Sequence, residues 1–415
     1  MRKKRPKIIT GLDIGTTKVC AILGQIDDDG QLSILGVGSN PSLGLKKGMV
    51  VDIEATVDSI QKAVRKAEQM AGVSVKEVYV GIAGGHITSQ NSKGTVEVQN
   101  PIRGVTEQDR QRALERAKDY IKLPKDVEII HAIPQEFVVD GQPGIKNPVG
   151  MSGTTLEARV HLVMAAITSA SNIVRCISQA GLRTCNILLE SLASSLAILG
   201  DNEKDLGVAL IDIGGGTSDV GIFAGGSVKF SGVIPLGGDS ITNDVAYGLK
   251  ISRYDAENIK KKYASALVDS VGPDEVLEIS DVLKGAANQV SRRFLCEITE
   301  ARLEQIFMMA KQMIDASPVK NKIYGGVVLT GGTSLMHGIA ELAERIFEMP
   351  AKVGMPQGLK GLSGVVSSPI YSTGIGLVLY GLTNQPLNPH YYSNGNVFRK
   401  LSYNFKKLLD WYLWE

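Results

Sequence analysis

Residues 207–226 read GVALIDIGGGTSDVGIFAGG, and the same pattern stands about two hundred residues earlier, at 8–26, as IITGLDIGTTKVCAILGQI. In each copy an apolar, β-rich run leads into Asp-Ile-Gly, small or hydroxyl residues follow, and a second apolar run leaves. Period-2 patterning around a central glycine predicts strand, tight turn, strand. The first hairpin is expected at Ile8 to Leu12 with Val19 to Leu23, the second at Val208 to Ile211 with Val220 to Phe223. Two copies imply two similar half-molecules facing each other.

Such a turn has a definite chemistry. Glycine lets the backbone approach a phosphate with no β-carbon in the way, and successive N–H groups can point at one anion. Thr16, Thr17 and Thr217 add hydroxyls, and Lys18 can place a point charge on β- and γ-phosphates. Asp13 and Asp212, at strand ends, suit the water shell of Mg²⁺, which keeps much of its hydration. One such turn is an ordinary hairpin; two with Asp in the same place point to a nucleotide.

A third glycine cluster, KIYGGVVLTGGTSLMHGIAELAERI, predicts a strand from Gly325 to Thr330, then Gly331-Gly332, then a helix with apolar Leu335, Ile339 and Leu342. It can hold an adenosine or a phosphate, and a tight αβ crossover fits it equally. No GxxxxGK[ST] motif occurs, which excludes a P-loop enzyme, and no GxGxxG opens a helix after a first strand, which argues against a dinucleotide-binding Rossmann unit.

At 415 residues, two to four subdomains are expected. Apolar content of 43% and charged content of 21% are those of a globular chain. A formal charge of +2 gives no global pull toward nucleic acid, and no nucleic-acid partner is expected. Cys20, Cys176, Cys185 and Cys296 have no CxxC spacing and few nearby histidines, which argues against zinc and a disulfide framework. The basic start MRKKRPKIIT is read as a solvated tail; Asp13 interrupts any signal core, so neither a signal peptide nor a spanning segment is expected.

Between the two hairpins lies a stretch with the pattern of a small α+β module. SKGTVEVQN alternates like a strand; GVTEQDRQRALERAKDYIKLP reads as a helix with Thr106 as N-cap and Asp109 three residues on, stopped by Pro124. Two extended runs, Val127 to Ala132 and Phe137 to Val139, and a Gly/Pro-rich turn from Gly141 to Gly150 follow. The stretch carries no catalytic equipment, and His131 is read as a packed or surface residue, so contact with another copy or a partner is the expected use.

The three glycine loops together resemble the actin, Hsp70 and sugar-kinase superfamily, in which two RNase H-like halves clamp Mg-ATP. Within it the chain is most similar to the FtsA family of bacterial cell-division proteins. The similarity is carried by GMVVDIEATVDSI, VYVGIAGGHI and above all HAIPQEFVVDGQPGIKNPVGMSGTTLEARVHLV, which resembles the subdomain 1C insertion of that family. The resemblance implies an α/β, actin-like two-lobed fold with that α+β insertion and a C-terminal amphipathic helix. It divides the chain into 1A at 6–84, 1C at 85–163, 1A again at 164–196, 2A at 197–237, 2B at 238–306 and 2A again at 307–365. A return to 1A at 366–383, a linker at 384–396 and a membrane helix at 397–415 complete it.

For the cofactors ATP and Mg²⁺, the resemblance places Asp13, Gly15, Thr16, Thr17 and Lys18 in the first phosphate loop. Asp212, Gly214, Gly215, Gly216 and Thr217 fall in the second, followed by Gly238 and Asp239. Gly331, Gly332 and Thr333 fall at the adenosine, and Glu257 and Lys261 at the nucleoside. Glu190, in CNILLESLASSLAIL, matches the residue that positions the attacking water, although Ser191 stands where the superfamily has Pro. Slow hydrolysis at most is expected, with ATP chiefly a switching ligand. Arg302, in the helix SRRFLCEITEARLEQIF of the segment 252–307, matches an Arg that meets the C-terminal tail of FtsZ. An exposed guanidinium can fork onto a peptide carboxylate there, and an ordinary exposed helix charge also fits.

The two tryptophans of the chain, Trp411 and Trp414, lie in the final stretch NVFRKLSYNFKKLLDWYLWE. On a helix, Val397, Phe398, Leu401, Phe405, Leu408, Leu409 and Tyr412 share one face, opposite Arg399, Lys406, Lys407 and Asp410. That is an interfacial helix, too charged to span a bilayer, with indoles at its flanks for the headgroup region. The Pro/Asn-rich stretch before it reads as a linker able to reach roughly 40 Å at ~3.3 Å per residue. The expectation is an ATP-binding protein that polymerises at the inner face of the bacterial membrane at the division septum, tethers FtsZ filaments and recruits later division proteins through 1C. A PilM-like scaffold of pilus assembly and a small-molecule kinase of the same fold remain open from the sequence.

Overall fold

The computed structural model describes residues 7–27, 30–280 and 287–383; the predicted linker and membrane helix at 384–415 lie outside them. Each DIG hairpin is the centre of a sheet. Ile9–Ile14 pairs antiparallel with Lys18–Ile26, which pairs antiparallel with Leu32–Pro41. On the other side of Ile9–Ile14, Glu77–Ile82 and then Arg183–Leu189 continue the sheet in parallel. The second hairpin repeats this plan. Val208–Ile213, Ser218–Ala224 and Ser227–Ile234 form the antiparallel ladder, with Val327–Thr330 and Ala351–Val353 added in parallel. A short strand, Leu359–Gly361, returns to the first sheet beside Leu32–Pro41.

The central strands, with every residue of Ile9–Ile14 and Val208–Ile213 buried, demand cover on both faces. Helix Ile53–Ala71, capped by Asp52 and ended by Gly72 at φ 67°, lies on the first sheet. Gly36 and Gly38 permit that approach, because a β-carbon on either would strike the backbone of Ala63 and Ala67. Helices Glu190–Ile198 and Ser372–Thr383 are both rich in small residues and cross with Gly376 against the Ala193 carbonyl. Ser372–Thr383 packs on the first hairpin, where Gly11 meets Gly374. Long helix Arg292–Ala316 and helix Ile339–Phe347 cover the second core, in which Phe307 and Phe347 meet at 5.5 Å between ring centroids.

The stretch between Glu77–Ile82 and Arg183–Leu189 folds around a core of its own, with Leu114, Phe137, Leu156 and Leu162 buried in it. Its four-stranded sheet runs in the order Ile87–Glu97, Thr155–Ala166, Val127–Val139, Gln142–Ile145. The helix there, Glu107–Asp119, starts with a full capping box between Thr106 and Asp109. It ends at Asp119, before Pro124, and the two predicted extended runs are one strand, Val127–Val139, with register shifts against its partner. Within the predicted turn Gly141 to Gly150, residues Gln142–Ile145 pair as a strand. No helix among the described residues is long and apolar enough to cross a membrane.

Candidate functional site

Both predicted turns close in the same way: Gly15 N–H donates to the Lys18 carbonyl and Gly214 N–H to the Thr217 carbonyl, each at 3.0 Å. The two tips meet. Thr16 lies against Gly216 and Thr17 against Gly215, so closely that a β-carbon on either glycine would overlap a threonine hydroxyl. The second turn is braced from behind by three of the predicted residues. Gly238 N–H donates to the Gly214 carbonyl at 2.9 Å, Asp239 N–H to the Gly215 carbonyl at 2.8 Å, and Thr333 Oγ1 to the Gly214 carbonyl at 3.1 Å. Gly331 takes φ 84°, and a β-carbon there would fall on Asp212.

Beneath the turns four carboxyl groups share one desolvated space. Burial pushes Asp13 up against the opposing pull of Lys18. Burial, then the charge of Asp13, raises Asp212 to about 6, although hydroxyls of Ser194 and Thr373 oppose the shift. Burial and the neighbouring Asp13, Asp219 and Asp212 hold Glu190 well above the usual carboxyl range. Asp219 is raised in the same way, by burial and by Asp212. Thr373 Oγ1 donates to Asp212 Oδ2 at 3.2 Å, and Thr217 Oγ1 to Asp219 Oδ2 at 3.2 Å, while Asp219 Oδ1 is buried with no hydrogen-bond partner among the described residues.

This donor set fits a hard cation held through its waters. Among the described residues no three His, Cys, Asp or Glu side chains form a direct metal cage, and Mg²⁺ favours few protein ligands plus waters and phosphate. Surplus buried negative charge with an unpaired carboxylate oxygen is what such a cation would relieve.

Two lysines of the expected set have partners within the chain. Lys18 Nζ donates to the Ile370 carbonyl at 2.8 Å and lies 4.6 Å from the Tyr371 ring centroid, on the return segment. Glu257 pairs with Lys261 at 3.0 Å, but Lys261 points outward; the neighbouring Lys260 is the buried one. Its Nζ reaches Glu257 at 2.7 Å, Thr242 Oγ1 at 2.7 Å and the Gly238 carbonyl at 2.9 Å. Burial pushes the Glu257 carboxyl up, but Lys260 and the hydrogen bonds around it hold it at about 2. The Asp239 carboxylate faces Arg253 at 3.0 Å. After Gly331-Gly332 the chain makes a 3-10 turn, Gly332–Leu335, and the helix starts at Ile339, leaving Leu335 exposed.

Arg302 is not a free charge. Its Nη2 donates to Asp244 Oδ1 at 2.9 Å and its Nε to Asp244 Oδ2 at 2.5 Å, a two-point fork.

Sequence reasoning missed Asp219, Lys260 and Thr373, while His131, read as a packed or surface residue, is buried. Asp219 had a signal. It pairs with Asp212 across the second hairpin in the register that sets Cys20 opposite Asp13 in the first, so the repeat hides it by offering no counterpart. The motif reading stopped at Thr217, two residues short.

Comparison with known proteins completes the picture. Residues 209–376 match the family model of the Cell division protein FtsA, and residues 84–164 match that of the SHS2 domain inserted in FTSA. A Cell division protein FtsA of Pseudomonas aeruginosa is 46% identical over 379 residues, covering 91% of this chain and 90% of its own length. The structure of a PilM–PilN type IV pilus biogenesis complex is similar with TM-score 0.65 at 16% identity, covering 90% of this chain and 98% of the other. MreB5 of Spiroplasma citri bound to ADP is similar with TM-score 0.53 at 16% identity, covering 90% and 96%. The repeated hairpin sheets thus build an actin-like α/β fold, and the chain belongs to the FtsA family of cell division proteins.

Proposed function

We propose that this FtsA-family chain binds Mg-ATP between the two hairpins and polymerises on the cytoplasmic face of the inner membrane at the division septum. There it tethers FtsZ filaments and recruits later division proteins. The observation that carries the nucleotide part is the meeting of Thr16 and Thr17 with Gly215 and Gly216 above the buried carboxyls. A ligand that brings phosphates and a cation answers both the glycine-lined tips and the surplus charge. When bound, Mg²⁺ neutralises charge on the phosphates. Asp13, Asp212 and Asp219 would be the groups of this chain that hold its waters. Glu190, whose carboxyl is held up by burial and by the neighbouring Asp13, Asp219 and Asp212, would orient a water, which is compatible with slow hydrolysis. The MreB5 structure carries ADP in a protein of similar fold.

The rest of the reading assigns 85–163 to contacts with other copies and later division proteins, and 238–306 to the FtsZ tail. Residues 384–396 serve as the linker and 397–415 as the anchor. A single amphipathic helix binds a surface weakly, and a filament displays many at once, so ATP-driven assembly would govern attachment by avidity. The test is co-sedimentation with anionic vesicles and ATP, comparing the full chain with one ending at Asn396. The proposal expects the full chain alone to pellet and to bring FtsZ with it. Equal pelleting of both chains, or of neither, overturns the anchor assignment.

A further inference from the structure

The helix that begins at Glu190 has no side-chain cap: its N-cap is Leu189, at φ −57° and ψ 133°. Leu189 ends strand Arg183–Leu189, the outer strand of the first sheet, with no further strand beyond it among the described residues. The Leu189 amide donates instead to Nε2 of His131, at 3.1 Å, in a buried contact. His131 comes from elsewhere in the fold, from strand Val127–Val139 of the inserted sheet, 58 residues earlier. Burial lowers its pKa to about 4, so the ring is neutral near pH 7. Acceptance at Nε2 assigns the ring proton to Nδ1.

We propose that His131 is a positioning residue for Glu190, by which the inserted module fixes the start of the Glu190 helix and so the place of its carboxyl among Asp13, Asp212 and Asp219. This rests on the reading of Glu190 as the group that orients a water. The path is short: the held amide belongs to the residue before Glu190, whose side chain packs over Gly81. An edge amide left without an acceptor in a buried place is destabilising, so the helix start follows the acceptor that satisfies it.

The module is also fastened to the second half. His161 Nε2 lies 2.8 Å from Ser231 Oγ, Ser89 Oγ donates to the Ser231 carbonyl at 2.5 Å, and Gln135 Nε2 donates to the Val228 carbonyl at 3.0 Å. These are side-chain contacts to an edge strand, not a continued ladder. A rotation of the module against either half therefore pulls on Leu189. A partner docked on the module gains a route to Glu190 without touching nucleotide.

The test compares His131→Phe, which keeps a ring without the acceptor, with His131→Gln, whose amide oxygen stands near the Nε2 position, and with Glu190→Gln, all in the full chain. Amide hydrogen exchange at Leu189, ATP affinity, and kcat and KM for phosphate release are measured. His131→Phe is expected to speed Leu189 exchange and to lower kcat, each about tenfold, the scale of one lost buried hydrogen bond. KM for ATP should hold, and His131→Gln should restore both quantities. Parent-like kcat in His131→Phe beside a slow Glu190→Gln overturns the proposal alone. Parent-like hydrolysis in Glu190→Gln overturns the reading of Glu190 and the proposal with it. If His131→Phe fails to fold, His131→Gln decides: protected Leu189 with lost kcat overturns the proposal, and both retained supports it.

Discussion

The hydroxyl of Thr17 stands where a β-carbon on Gly215 would have to go. The two halves touch at their hairpin turns through a contact that only glycine permits, and the same holds for Thr16 and Gly216. Gly215→Ala must therefore part the tips or displace Thr17. The expected result is at least a tenfold loss of ATP affinity and a destabilisation of about 1–3 kcal/mol, the usual scale of overpacking. Titration with a fluorescent ATP analogue and thermal unfolding check the two separately; unchanged affinity would remove the tips from the nucleotide site.

The carboxyl cluster makes the nucleotide-free protein sensitive to pH in a definite direction. Asp212 rises from 3.8 in the unfolded chain to about 6 in the fold, so the folded state holds the proton more tightly. Stability from this group is thus lowest above pH 7 and increases as pH falls through 6 toward 4, by on the order of 3 kcal/mol. Asp13, Glu190 and Asp219 shift in the same direction. Asp212→Asn is expected to raise the Tm of the nucleotide-free protein at pH 7.5 and to flatten its rise on acidification to pH 5.5. Melting curves at the two pH values, for both proteins, check this; a steeper acid-side rise in Asp212→Asn would refute it.

Gly376 carries the crossing of the two small-residue helices that deliver Glu190 and Thr373. A β-carbon at Gly376 would strike the Ala193 carbonyl, a backbone atom that cannot turn aside. Gly376→Ala should cost about 2–3 kcal/mol of stability and weaken ATP binding by loosening the Thr373 to Asp212 hydrogen bond. Denaturant unfolding measures the first effect. A neutral result would mean that the helices separate freely.

Arg302 already forks onto Asp244, 58 residues away, with both side chains about one-third exposed or less. An acidic peptide that used this guanidinium would have to displace Asp244. Asp244→Asn is then expected to tighten binding of an FtsZ tail peptide several-fold, and Arg302→Ala to weaken it at least tenfold, while stability moves by less than about 1 kcal/mol. Fluorescence anisotropy with the labelled peptide decides it. If Asp244→Asn weakens binding, Asp244 holds Arg302 in its binding pose and does not compete with it.

What proved legible in the sequence was local. The hairpins at Asp13 and Asp212 were visible because period-2 burial and the glycine turn are written into about twenty residues each. The capping box of Thr106 and Asp109 needs only one helical turn. The Gly331-Gly332 helix start was misplaced because the 3-10 turn keeps apolar spacing while turning Leu335 outward.

The sequence by itself determined the duplicated strand–turn–strand plan, the glycines at both tips and an aspartate beneath each, since these depend on backbone geometry within single segments. Only the tertiary structure decided which charges share a space. Lys260 is inside and Lys261 outside because adjacent residues on a helix point in different directions, and the packing of the stripe selects one. Asp219 and Glu190 join Asp13 and Asp212 because two sheets and a helix start converge on one desolvated point. His131 reaches Leu189 because an outer strand leaves an amide that a distant module must satisfy. Burial and long-range hydrogen bonding are properties of the assembled fold, and no window of sequence contains them.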